Sequence, residues 1–315
     1  MKKALIVGID NYPSAPLNGC VNDANAIGTI LESHGDGSPN FGIKMMTSPT
    51  STITRPVLRE AIEQLFAGDS AMALLYFSGH GYIKSTGGYL VTTDAKKYDE
   101  GVSMDDVLNL ANQSKARNKV IILDCCHSGA LGSPSITGSG LAQLSEGLSV
   151  LTASRESEYA VEVNGSGIFT SLVVDALKGG AADLRGNVTP GSLYAYVDEA
   201  LGAWDQRPIF KTNVTSFAPL RMLQPKVPSE TMRKIVNYFA TPDSEHPLNP
   251  SYEDTHASAI PKNVAIFKDL QKFQGVGLVV PVDAEFMYFA AINSKSCRLT
   301  ALGYQYWRLV NEKKL

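Results

Sequence analysis

The sequence predicts an α/β domain built on a mostly parallel sheet with helices on both faces, followed by a smaller α+β unit. Three observations carry this. Short apolar runs bounded by turn residues recur at 4–7, 72–77, 120–123 and 148–151, the pattern of strands buried on both sides. Stretches of helical period lie between them, and such alternation is what crossover helices on a parallel sheet require. Near residue 224 prolines accumulate and apolar periodicity thins out.

Taken in order, Ala4-Leu5-Ile6-Val7 is the first strand, and Ala24, Ile27 and Leu31 share one face of the first helix. The second helix carries Val57, Leu58, Ala61, Ile62, Leu65 and Phe66, with Pro56 in its first turn, where a missing N–H is harmless. A strand at 72–77 follows. Ser103 is placed to cap a helix that begins Met104-Asp105-Asp106-Val107-Leu108 and leads into the strand at 120. Beyond the strand at 148–151, helical patterns run over 168–177 and 192–201, then an extended piece over 209–214. The segment 224–261 holds Pro225, Pro228, Pro242, Pro247, Pro250 and Pro261, so it reads as a linker with one short helix around Ile235, Val236 and Phe239. From 262 the apolar pattern returns with Val264, Phe267, Leu270 and Phe273 on one stripe, a turn at Gly275-Val276-Gly277 and a last helix over 300–310. The expected organisation is therefore a domain at 1–223, a linker at 224–261 and a small C-terminal domain at 262–315.

Composition narrows the function classes. With 44% hydrophobic and 19% charged residues in 315, the chain can bury a sizeable core, which excludes a disordered chain or a coiled coil. A net charge of -3 supplies no general field for nucleic acid or an anionic membrane. Cys20, Cys125, Cys126 and Cys297 are too few and too oddly spaced for a disulfide framework, which points to a reducing compartment. No apolar stretch is long enough for a signal-peptide core or a membrane span. A cytoplasmic monomer is expected.

Two strand ends carry the chemistry. Ser78-Gly79-His80-Gly81 follows one buried strand and Asp124-Cys125-Cys126-His127-Ser128-Gly129 follows another, at the strand ends where open α/β sheets place their sites. A thiolate nucleophile needs an imidazole within reach, and neighbouring strand ends can supply both. Zinc is disfavoured because no Cys-x-x-Cys or histidine pair stands at ligand spacing. His127 adjoins the cysteine in sequence, but adjacent side chains diverge at a strand end, so His80 is the better base.

These motifs, with Tyr76-Phe77 before the first, resemble the caspase-like cysteine peptidases and most closely the metacaspases. The resemblance continues through Leu17-Asn18-Gly19-Cys20-Val21-Asn22-Asp23-Ala24, Leu151-Thr152-Ala153-Ser154 and Gly167-Ile168-Phe169-Thr170, covering roughly 1–223. It implies a caspase-like fold, Cys126 as nucleophile and His80 as its base; Cys125 occupies a variable position and reads as structural. The backbone N–H groups of Gly81 and Cys126 are the candidates for an oxyanion hole.

Charge argues for the substrate. No lysine or arginine lies between Lys3 and Lys44, where the family places pocket residues, so a pocket for an acidic side chain lacks its cation. Through the resemblance, Asp23, Asp124, Cys20 and Ser78 line the primary specificity pocket, and two carboxylates suit a guanidinium, arginine above lysine. The plainer alternatives are that Asp23 caps a helix starting near Ala24 and that Asp124 accepts backbone hydrogens. The resemblance also maps calcium ligands onto Asp94, Asp105 and Asp106, but lacks a fourth where the chain runs Gly129-Ala130-Leu131-Gly132-Ser133. A hard cation site then misses an anionic ligand, while Asp105 and Asp106 suit a helix N-terminus; no cofactor is expected to be required.

Residues 262–315 carry 8 basic and 4 acidic residues and faintly resemble a winged helix. Tyr304, Tyr306, Trp307 and Leu309 argue for packing or a protein partner rather than nucleic acid. No lysine or arginine lies between Lys119 and Arg155, so a basic-specific enzyme cannot cut itself in the glycine- and serine-rich stretch 129–147 after the nucleophile. The expectation is a zymogen restrained by its linker or C-terminal domain and released by an upstream protease or partner protein. Arg155, Arg185, Lys226, Arg233 and Lys234 are the candidate processing sites. The resemblance implies regulated proteolysis in stress, cell death or defence; a catalytically inert scaffold acting through its C-terminal domain is the rival reading.

Overall fold

The first apolar run forms β1 (Lys2–Gly8) and leads to α1 (Cys20–Glu32), β2 (Phe41–Thr47), α2 (Arg55–Phe66) and β3 (Met72–Ser78). A small antiparallel sheet follows, made of β4 (Gly81–Lys84), β5 (Gly87–Lys96) and β6 (Asp99–Ser103), and then α3 (Met104–Gln113), β7 (Asn118–Asp124) and β8 (Leu148–Thr152). Two-residue strands β9 (Glu162–Val163) and β10 (Ser166–Gly167) precede α4 (Ile168–Asp175), β11 (Asn187–Val188), α5 (Pro190–Ala200), β12 (Ile209–Asn213) and β13 (Arg221–Met222). This is a computed structural model that describes residues 1–84, 87–96, 99–125, 143–153, 162–163, 166–201 and 207–315. Residues 1–183 and 187–223 make one unit; 184–186 and 224–315 make another.

In the first unit the main sheet has strand order β12-β8-β7-β3-β1-β2. Its neighbours are parallel except for β12, which pairs antiparallel to β8 at the edge. Successive side chains of a strand point to opposite faces, and the core divides accordingly. Leu5, Val7, Leu75, Phe77, Ile121 and Leu123 pack with α2 and α3 on one side. Ala4, Ile6, Leu74, Tyr76, Val120 and Ile122 pack with α1, α4 and α5 on the other.

Two sets of elements escape the apolar pattern. As an edge strand with one neighbour, β2 leaves several residues exposed, Met45 among them, so no continuous apolar run marks it. The β4–β6 sheet interleaves glycine, threonine and charged residues with single apolar ones such as Leu90 and Val102, with register Gly81↔Leu90 and Leu90↔Val102.

The second unit corrects the linker reading of 224–261. That segment forms α6 (Ser229–Arg233), α7 (Ile235–Tyr238) and β14 (Glu245–Pro247), ahead of α8 (Pro261–Gly275), β15 (Val279–Val282), α9 (Met287–Ile292), β16 (Ser296–Leu299) and α10 (Ala301–Asn311). Val227, Met232, Ile235, Phe239, Leu248 and Tyr252 are buried in one cluster with Phe267, Leu270 and Phe273. The prolines are compatible with this because they stand where no backbone donor is needed. Pro228 precedes α6, Pro261 is the first residue of α8, and Pro247 ends the edge strand β14. The strand order is β14-β16-β15, antiparallel throughout.

Candidate active site

Parallel register sets three strand ends side by side: Gly8 is opposite Ser78, and Ser78 is opposite Asp124. Backbone bonds continue that alignment past the strands, with Ile9 N–H donating to Ser78 O at 3.0 Å and Gly79 N–H donating to Asp124 O at 3.4 Å. The two motifs therefore emerge from adjacent strands at one level. Cys126 lies outside the described residues; Cys125, immediately before it, is 1% exposed and packs in the core with Leu123 and Tyr12, in keeping with a structural role.

His80 is held from behind. Its Nε2 lies 2.7 Å from Ala15 O, and a carbonyl only accepts, so Nε2 carries the proton and Nδ1 is the acceptor of the neutral ring. The His80 N–H donates to the Tyr12 hydroxyl at 3.0 Å, which in turn donates to Val91 O at 3.2 Å. The two rings are tilted with centroids 4.6 Å apart, and burial pushes the Tyr12 phenol well above its usual range. Residue 79 must be glycine here, since a Cβ would stand 2.5 Å from the Tyr12 oxygen. The loop carrying Tyr12 and Ala15 is itself pinned: Asp10 carboxylate oxygens accept from Cys20 N–H at 2.9 Å and Val21 N–H at 3.3 Å, and Ser48 Oγ accepts from Asp10 N–H at 3.0 Å. Asp10, rather than Asp23, thus serves the start of α1. A cleft of about 450 Å³ beside the ring is lined by Tyr12, Ala15, His80, Gly81, Tyr82 and Val91.

The four residues expected in the specificity pocket come together. Asp23 and Asp124 are 3% and 5% exposed, and both face Gly167, where a Cβ would lie 3.2 Å from Asp23 Oδ2 and 2.6 Å from Asp124 Oδ2. Gly167 N–H donates to Asp23 Oδ2 at 3.1 Å, and the Thr170 hydroxyl donates to Asp124 Oδ2 at 2.6 Å. The Tyr76 hydroxyl is 2.6 Å from Thr170 Oγ1. Ser78 stands beside Cys20 and Tyr76, and burial drives the Cys20 thiol far above its usual range. Sequence reasoning missed Tyr12, Ala15, Tyr76, Gly167 and Thr170 as site residues. Tyr76, Gly167 and Thr170 stood inside recognised motifs without a role.

The three calcium candidates each serve a helix start. Asp94 Oδ1 accepts from Arg55 N–H at 3.0 Å and from the Thr92 hydroxyl at 2.7 Å, serving the start of α2. Asp105 and Asp106 occupy the first turn of α3, and burial followed by the neighbouring Asp106 raises the Asp105 carboxyl. Among the described residues no three His, Cys, Asp or Glu side chains are grouped to hold a metal, and no helix is long and apolar enough to cross a membrane.

Comparison with known proteins bears on the family and the fold. Residues 1–218 match the caspase domain family. The chain belongs to that family. Among solved structures, the caspase domain is similar to the protein GSU0716 from Geobacter sulfurreducens, with 16% identity and a TM-score of 0.52, over 71% of this chain and 100% of the other. It is likewise similar to caspase-1 from Spodoptera frugiperda, with 12% identity and a TM-score of 0.52, over 71% and 90% of the two chains. At these identities the likeness is one of fold. No curated protein matches the chain.

Proposed function

We propose that this caspase-domain protein is a cysteine endopeptidase that cleaves polypeptides after basic residues, arginine above lysine. The observation that carries it is the His80 ring: with Nε2 bound to Ala15 O, Nδ1 is the one ring atom able to take a thiol proton. Cys126, assigned through its motif, attacks the scissile carbonyl as its proton passes to Nδ1. The backbone N–H groups of Gly81 and Cys126 receive the oxyanion. The imidazolium then protonates the leaving amine, and water, activated by the same nitrogen, releases the acyl group. Asp23 and Asp124 support the basic preference, since two buried carboxylates beside one glycine match the two edges of a guanidinium. No step runs through calcium.

Cys126→Ala and His80→Ala each abolish peptide hydrolysis in the full chain, while Cys125→Ala keeps most of it; a Cys125→Ala chain as inactive as Cys126→Ala, with folding intact, overturns the nucleophile assignment. Reporters with arginine at the cleaved position turn over faster than those with aspartate, and the reverse order removes the basic pocket. An inert scaffold hydrolyses neither. The chain also acts as a zymogen restrained through residues 224–315. Support for this is the absence of a basic residue between Lys119 and Arg155, which denies the enzyme its own cut after the nucleophile. Intact-mass analysis against Cys126→Ala tests it: full basal activity in an uncut chain removes the zymogen, and self-cleavage within 129–147 overturns the specificity.

A further inference from the structure

We propose that Tyr76 and Thr170 are positioning residues for substrate selection: a buried Tyr76–Thr170–Asp124 relay holds the Asp124 carboxylate oriented toward a basic substrate side chain. The inference rests on the basic-pocket reading above and deepens it. Proton accounting fixes the direction of the relay. An ionised carboxylate offers no proton, so the single Thr170 hydroxyl proton goes to Asp124 Oδ2 at 2.6 Å. The remaining 2.6 Å contact must then be Tyr76 donating to Thr170.

Packing alone does not explain these groups. Tyr76 is 0% and Thr170 1% exposed, and burying a hydroxyl is unfavourable unless it is used. A phenylalanine and a valine fill the same space without that cost. What the two hydroxyls add is a charge-assisted bond to a carboxylate that lies close to a second one. Like charges at this separation favour protonating one partner, which would leave the pocket with less charge for the substrate. Three donors oppose that: the Thr170 hydroxyl on Asp124, the Gly167 N–H on Asp23, and the positive end of α4, which begins at Ile168 directly after Gly167. One short segment, 167–170, therefore serves both carboxylates, and Tyr76 orients it from the sheet.

The test measures kcat and KM for two matched peptide reporters, arginine and its neutral near-isostere citrulline at the cleaved position, across pH. Wild type favours arginine. In Thr170→Val the arginine-to-citrulline ratio of kcat/KM falls about tenfold, carried by KM, and the acid limb of the arginine profile moves to higher pH. Tyr76→Phe moves both readouts the same way by about threefold, and Thr170→Ser restores them because it keeps the donor. An unchanged ratio and acid limb in Thr170→Val, in a chain with wild-type thermal unfolding, overturn the relay. If Thr170→Val does not fold, an unchanged Tyr76→Phe does the same. The wild-type arm stands apart: equal turnover of the two reporters overturns the basic pocket itself.

Discussion

Tyr12→Phe isolates the support behind His80. The substitution keeps the ring and its packing, and removes one oxygen that accepts from His80 N–H at 3.0 Å and donates to Val91 O at 3.2 Å. Tyr12 is 7% exposed. If both orphaned backbone groups stayed dry, the loss would reach about 2–6 kcal/mol, at about 1–3 kcal/mol for each unsatisfied group. They do not both stay dry. The cleft lined by Tyr12, His80 and Val91 gives water access to the severed bonds, which brings the loss down to the net value of about 1 kcal/mol per bond. The expected destabilisation is thus about 2 kcal/mol by urea unfolding. Activity falls further than stability suggests, by about tenfold in kcat/KM, because the anchor of the general base is released and small displacements of a catalytic group are costly. A change below about 0.5 kcal/mol together with unchanged kcat/KM refutes the reasoning.

Gly167→Ala leaves the backbone unstrained, since its φ of -67° and ψ of 135° suit any residue, so its effect falls on the carboxylate that must shift to admit the methyl group. The added Cβ at 2.6 Å from Asp124 Oδ2 crowds the pocket, raising KM for an arginine reporter about tenfold or more; an unaltered KM moves the pocket elsewhere. Cys20, Cys125 and Cys297 are buried, and burial pushes the Cys297 thiol up to about 12, so it stays protonated and inert between pH 7 and pH 9 on the ordinary reactivity rule. Iodoacetamide therefore labels the native chain once, at Cys126, and labelling of Cys297 in the folded chain as fast as in the urea-unfolded chain contradicts its burial. Phe239→Ala costs the second unit about 3–5 kcal/mol, read from Trp307 fluorescence, because Phe239 is 0% exposed and its carbonyl accepts from Trp307 Nε1 at 2.8 Å. A loss under about 1 kcal/mol restores the linker reading of 224–261.

What the sequence disclosed follows from how far each signal reaches. The β1, β3, β7 and β8 runs are legible because central parallel strands are apolar on both faces, and the motifs at residues 78 and 124 end two of them. Strand pairing then fixes their adjacency without side-chain detail. Tyr12 was not legible: its partner His80 lies 68 residues away, and nothing in a loop tyrosine announces which backbone it will meet. The same holds for Thr170, whose hydroxyl finds a carboxylate 46 residues distant.

The prolines of 224–261 misled for a different reason. Composition treats proline as a breaker of structure, whereas its physical effect is to fix φ and remove one donor. At the first position of α8 that donor has no partner to lose, and in the edge strand β14 the other face of the ladder remains free of the demand. Proline density therefore marks the frequency of element starts and edges as readily as it marks an unstructured connection. The discriminating signal was apolar content between the prolines: Val227, Met232, Ile235, Phe239, Leu248 and Tyr252 give the segment enough surface to bury, and a solvated linker has no use for it.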